Sequence, residues 1–154
     1  MSGFGRVVAL APGEGTPFRI GHDEVTLKVD SVNADDGFSF IEYAGTAQPG
    51  PPPHVHRTFE ECWFILEGQV DFTVNGTMTR GRVGSFLLVP RGATHSFQVV
   101  GPAPARWIGV FSPGKYVHLL EELGELVPAD GPPDGARVAA LFARYDTEMA
   151  PDAP

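Results

Sequence analysis

Apolar residues in the first two thirds of this chain recur at every second position in short runs. Val25, Leu27 and Val29 alternate with Thr26 and Lys28, and Val70, Phe72 and Val74 alternate with Asp71, Thr73 and Asn75. A period of two is the signature of a half-buried strand, whose successive side chains point to opposite faces. Residues 38–43, 61–66, 95–99 and 106–111 are read as further strands, and the unbroken apolar run at 86–89 as another that stops at Pro90. Turn-forming residues sit between these runs, among them 33–37, Gly68 and Gly92. Asn75-Gly76 is a strong hairpin signal, because both residues accept the positive φ that a two-residue turn demands. Short strands with fairly regular turn signals predict an all-β sandwich or barrel.

The periodicity changes after Ser112-Pro113-Gly114. Tyr116, Leu119, Leu120 and Leu123 recur at helical spacing among Glu121, Glu122 and Glu125, which read as a solvated face. A Pro/Gly/Asp linker at 128–135 precedes Val138, Leu141, Phe142 and Tyr145 in the same rhythm. Two amphipathic helices are therefore expected to close the chain, packed on the barrel or on a partner subunit, with 150–154 as a frayed tail. No internal repeat suggests a second unit. The expectation is one domain over 1–154, its barrel at about 18–112 and its helical segments at about 113–146.

Composition narrows the possible partners. A chain of 154 residues, 42% hydrophobic and 19% charged, can bury a core without staples. Its 19 Gly and 15 Pro follow no triplet period and fit many turns. A formal net charge of -8 with no basic cluster argues against nucleic acid and against an anionic membrane surface. Cys62 is the single cysteine, so no internal disulfide can form. The first residues lack the pattern of a secretory signal, and no run approaches the ~20 apolar residues of a membrane span. A cytoplasmic location is expected.

The chemistry concentrates in residues 54–68 and 84–95. His54, His56 and Glu61 place two imidazoles and a carboxylate within eight positions, and His95 ends the segment that follows Gly84. Three His and one carboxylate suit a divalent first-row metal (Fe, Mn, Ni, Co or Zn), with room for water or substrate. His54 and His56, two apart on an extended segment, share a face; Glu61 shares one with Trp63 and Ile65, and His95 with Phe97 and Val99. The proline-rich stretch 48–53 cannot be helical and reads as a stiff lead-in to His54. Cys62 should point away from the ligands as a structural thiol. His22 and His118 have no partners at metal spacing.

These residues resemble the two motifs of the cupin superfamily, G(x)5HxH(x)3–4E(x)6G and G(x)5PxG(x)2H(x)3N. The second matches through Gly84, Pro90, Gly92 and His95; the first through His54, His56, Glu61 and Gly68. Glu60 also satisfies the looser spacing, but only Glu61 keeps six residues before Gly68. Gln48 stands where the first motif opens on glycine, with Gly50 two positions later, and Val99 stands where the second ends on asparagine. Residues 38–43, 51–56, 90–92, 111–114 and 141–145 are similar to single-domain bacterial cupins termed quercetin 2,3-dioxygenase-like, a likeness that covers most of 13–146.

The resemblance implies a jelly-roll barrel with His54, His56, Glu61 and His95 as metal ligands. It also implies a metal-dependent enzyme for an aromatic, flavonol or polyketide-type small molecule, with O2 as possible co-substrate, Glu61 as candidate base, and a homodimer. A redox-neutral zinc-dependent cyclase or isomerase and a non-catalytic ligand-binding module are the alternatives. Trp63, Ile65, Phe97, Phe40 and Trp107 are the candidate substrate-pocket residues.

Overall fold

The structure, a computed structural model, describes residues 6–47 and 49–150. Gln48 and tail residues 151–154 lie outside the described residues. Eleven strands appear among those described: β1 Thr16–Ile20, β2 Asp23–Val29, β3 Ser39–Gly45, β4 His54–His56, β5 Glu60–Glu67, β6 Gln69–Val74, β7 Thr77–Arg82, β8 Phe86–Val89, β9 Thr94–Val99, β10 Ala105–Ser112 and β11 Thr147–Met149. Two helices, α1 Val117–Leu126 and α2 Gly135–Arg144, intervene before β11. The strands form a six-stranded sheet ordered β1-β2-β3-β10-β5-β8 and a five-stranded sheet ordered β11-β4-β9-β6-β7. All strand pairs are antiparallel, as in a jelly roll.

Alternation decides which side chains face inward. In β10 the buried positions are Ala105, Trp107, Gly109 and Phe111; in β3 they are Ser39, Ile41, Tyr43 and Gly45. β3, β10 and β5 run in register, so inward residues stack in layers: Ser39 with Phe111 and Glu61, Ile41 with Gly109 and Trp63, Tyr43 with Trp107 and Ile65. The Asn75-Gly76 hairpin forms as expected. Val74 pairs with Thr77, and the two turn residues have φ of 48° and 78°.

The helices cover the barrel. Asp134 caps α2 by accepting from the backbone N–H groups of Ala136 and Arg137 at 3.0 and 3.2 Å. Leu141 and Phe142 are buried, as are Val117 and Leu119 of α1. Among the described residues no helix is long and apolar enough to cross a membrane.

The chain's last described segment departs from expectation. Asp146, at φ 48°, turns the chain out of α2, and β11 then pairs with β4, matching Thr147 with His56 and Met149 with His54. Ala150 N–H donates to the Pro53 carbonyl at 2.9 Å, so this residue is tied down rather than frayed. Residues 147–149 are invisible to periodicity because three residues are too few to establish an alternation of period two, and the partner strand is equally short.

Candidate functional site

Two neighbouring strands of one sheet and one strand of the other converge at the site. β4 contributes His54 and His56; its neighbour β9 pairs His95 directly with His54; β5 brings Glu61 from the facing sheet. The rings lie 4.2 Å (His54–His95), 4.8 Å (His54–His56) and 4.8 Å (His56–His95) apart between centroids. All four residues are buried, at 4–7% exposure. Glu61 Oε1 is 3.1 Å from His95 Nε2, and Oε2 is 3.9 Å from His56 Nε2. Glu60 points the other way and binds Arg91 at 2.6 Å on the surface. Strand parity thus separates the two adjacent glutamates.

What lies behind the rings fixes their tautomers. His54 Nδ1 is 2.9 Å from the Pro52 carbonyl and His95 Nδ1 is 3.0 Å from that of Ala93; a carbonyl only accepts, so each Nδ1 carries the proton. His56 Nδ1 is 2.9 Å from Thr147 Oγ1, whose own proton goes to the Tyr145 carbonyl at 3.1 Å. The hydroxyl is therefore left to accept, and His56 Nδ1 is protonated too. Three Nε2 lone pairs consequently face the interior. Thr147 belongs to β11 and was missed by sequence reasoning, as was Phe59, which stacks on His56 at 4.0 Å. Phe59 is fully buried, and behind it Tyr116 stacks at 4.1 Å.

Electrostatics favour a cation here. Burial pushes His54 down to about 4 and His56 to about 3, so both are neutral near pH 7. Burial alone would raise the Glu61 carboxyl, but the attraction of His95, His56 and His54 outweighs it and holds it below the usual carboxylate range. For His95, burial works downward and is overcome by Glu61, which raises it. In the absence of metal, a proton is drawn to the His95–Glu61 pair. Even so, His95 Nε2 is buried without a well-directed hydrogen bond despite its 3.1 Å approach to Glu61. An orphaned buried nitrogen beside a carboxylate fits a divalent ion, and His54, His56 and His95 offer ligand atoms within 4.8 Å of one another.

The cluster lies at the wall of an apolar cavity of about 370 Å³. Trp63 and Phe97 line it, with Ile41, Tyr43 and Gly109 from the six-stranded sheet and Leu119, Leu123, Val138 and Phe142 from the helices. Three other expected lining residues do not. Phe40 is on the opposite face of β3, cross-strand from Val110, because Ser39, Ile41 and Tyr43 take the inward positions. Trp107 is sandwiched between Tyr43 (4.4 Å) and Trp63 (4.6 Å) and is 1% exposed. Ile65 lines a smaller cavity of about 190 Å³ beside Phe72 and Gly81. Cys62 points away from the ligands and is half-buried. His22 is exposed, and His118 hydrogen-bonds Glu121 on α1.

The two departures from the motifs acquire reasons. Val99 is packed in the core opposite Val70, with no part in the histidine cluster. Gly50 N–H donates to Gln98 Oε1 at 3.1 Å, and a Cβ at Gly50 would sit 1.7 Å from the Phe97 carbonyl oxygen. The proline-rich lead-in therefore presses on β9 at a point where only glycine fits.

Known proteins resemble this chain in sequence and in fold. Residues 39–111 match the family model described as a cupin domain. Quercetin 2,3-dioxygenase of Bacillus subtilis (strain 168) is 25% identical over 115 residues, 75% of this chain, which spans about a third (34%) of that relative. A predicted oxalate decarboxylase from Thermotoga maritima superposes with TM-score 0.63 at 20% identity, covering 68% of this chain and 97% of that one. The polyketide cyclase RemF from Streptomyces resistomycificus superposes with TM-score 0.51 at 24% identity, covering 64% and 68%. The structural likenesses establish the fold alone. With the motif, the sheet topology and the family match in agreement, residues 39–111 form a cupin domain.

Proposed function

We propose that this protein is a metal-dependent enzyme for a neutral, aromatic small molecule, most akin to a quercetin 2,3-dioxygenase. One observation carries the reading. Three buried imidazoles, each held from behind by its Nδ1–H, turn Nε2 lone pairs toward a buried carboxylate at the wall of an apolar, aromatic-lined cavity. A divalent transition ion held by His54, His56, Glu61 and His95 would supply Lewis-acid polarisation of an enolate or phenolate oxygen.

The chain's own residues do the rest. Trp63 and Phe97, edge-to-face at 4.7 Å, offer ring surfaces to a flat substrate. Leu119, Leu123, Val138 and Phe142 exclude water from that end of the cavity, which strengthens every charge interaction inside it. Among the described residues Glu61 is the carboxylate beside the three histidines, so it is the group to take the substrate hydroxyl proton; its lowered basicity confines it to an already acidified hydroxyl. A homodimer belongs to the same proposal. Phe64, Phe86 and Leu88 are 41–65% exposed on the outer face of β5 and of the sheet-edge strand β8, an apolar patch suited to a second copy.

The test is to strip the protein with chelator, reload it separately with Fe, Mn, Co, Ni and Zn, and follow flavonol consumption with and without air. Metal-dependent turnover that stops under argon is expected. Turnover unchanged under argon would contradict the oxygenase and support a redox-neutral cyclase or isomerase. Tight flavonol binding with no turnover under any metal would leave a binding module.

A further inference from the structure

The cavity has a second polar end, remote from the histidines. Asp23 at the start of β2 and Tyr43 on β3 both line it, as does Thr46. Tyr43 donates its hydroxyl proton to Asp23 Oδ2 at 2.8 Å, while Asp23 Oδ1 accepts from Thr46 N–H at 2.8 Å and Thr46 Oγ1 at 3.0 Å. The Tyr43 ring is fixed by stacking on Trp107. Its proton is committed to Asp23, so what Tyr43 Oη and Asp23 Oδ2 have left is acceptor capacity.

We infer that Asp23 and Tyr43 form a distal anchor that recognises a hydrogen-bond donor, a hydroxyl on the far ring of a flat aromatic ligand whose other end sits at the histidine cluster. The inference rests on the aromatic-substrate reading above and adds which substituent is selected. Layer spacing gives the length. Tyr43 lies two inward layers from the Glu61 layer, four residues along the strand or about 13 Å. Subtracting about 2 Å for a metal–ligand bond and about 3 Å for a hydrogen bond leaves about 8 Å of ligand skeleton, a length of two to three rings. Gly109 and Ile41 line the cavity in the intervening layer, and the absence of a side chain at Gly109 makes room for Ile41, since a Cβ there would meet Ile41 Cγ1 at 2.9 Å. Among the described residues no Lys or Arg lines the cavity, and both ends carry a carboxylate. An anionic or dicarboxylic substrate would therefore meet like charge at the far end, whereas a neutral phenol meets an acceptor.

Three probes that differ at one position separate the possibilities: galangin (no hydroxyl on the far ring), kaempferol (a hydroxyl) and kaempferide (a methoxy group). Binding to zinc-loaded protein under argon is read by calorimetry and by quenching of the two tryptophans, of which Trp63 lines the cavity. Kaempferol should bind about tenfold more tightly than galangin, as one hydrogen bond to a charged acceptor pair is worth. Kaempferide should lose that gain. Tyr43→Phe should leave galangin within about twofold and keep the kaempferol preference, because Asp23 Oδ2 loses its donor and is freed to accept from the ligand hydroxyl. Asp23→Asn should shift preference toward kaempferide, because the new amide donates to Tyr43 and frees the phenol proton to point into the cavity. Equal binding of all three probes, or a kaempferol preference that survives Asp23→Asn, would overturn the anchor and leave the aromatic-substrate reading standing. Failure of all three to bind zinc-loaded protein would overturn both.

Discussion

The two ends of one cavity solve opposite problems with the same kind of bond. At the histidine end, the N–H groups point outward to Pro52, Ala93 and Thr147, so lone pairs face inward around Glu61. At the Tyr43 end, the hydroxyl proton stays within the cavity wall and is spent on Asp23. In both places donors are consumed and acceptors are presented. The difference lies in density: three nitrogens with a carboxylate beside them could hold a cation, whereas two partly satisfied oxygens suit the hydroxyl proposed above. Between them lie aromatic and aliphatic walls that supply affinity without direction.

The comparison can be broken from the histidine side. His95→Ala removes one ligand and leaves Glu61 buried without its nearest partner. Metal affinity should fall by about a thousandfold or more, on the scale of losing a few kcal/mol of coordination. Titration with a competing chelator measures it, and near-wild-type metal content would contradict the assignment. A milder break is Thr147→Val, which keeps volume but deletes the acceptor that orients His56. A loss of about 10–100-fold in metal affinity is expected, with Tyr43 and the far end untouched. Unchanged affinity would mean that the Thr147 hydroxyl does not orient the ring.

The smallest effect sharpens the electrostatic argument. In chelator-treated protein, His54 and His56 resist protonation when folded but take up protons near 6.5 when unfolded. The unfolded chain thus binds more protons below 6.5, and stability must fall as pH drops from there toward about 4. His95, whose value is raised, contributes fully below 6.5 and so does not oppose the trend in that window. Melting temperature should fall by several degrees between pH 6.5 and 4.5, and His54→Gln or His56→Gln should flatten the slope. A flat profile in the unaltered protein would contradict the burial of neutral rings.

Much of this was legible in the sequence wherever a local rule applied. The HxH spacing, the turn residues around Gly92 and the strand parity of Glu61 are local, and they pointed to the cluster of His54, His56 and His95 and to the Glu61 carboxylate beside it. Phe40 misled because the apolar positions change parity between Phe40 and Ile41: Phe38 and Phe40 fall on one parity, Ile41 and Tyr43 on the other, so period two could not say which set faces in. Trp107 faces inward as parity requires, yet two neighbouring rings cover it, and stacking is not encoded in spacing. Thr147 lies 91 residues from His56, on a strand too short to show a period. Asp23 and Tyr43, 20 residues apart, carry no motif at all. Local periodicity reports faces; only tertiary register reports partners.

The most direct test of the account is a crystal structure of metal-loaded protein with the ion located by anomalous scattering. A single peak at about 2.0–2.2 Å from Nε2 of His54, His56 and His95 and from a Glu61 carboxylate oxygen is the predicted result. A peak elsewhere, or none among these four side chains in protein that holds stoichiometric metal, would contradict it.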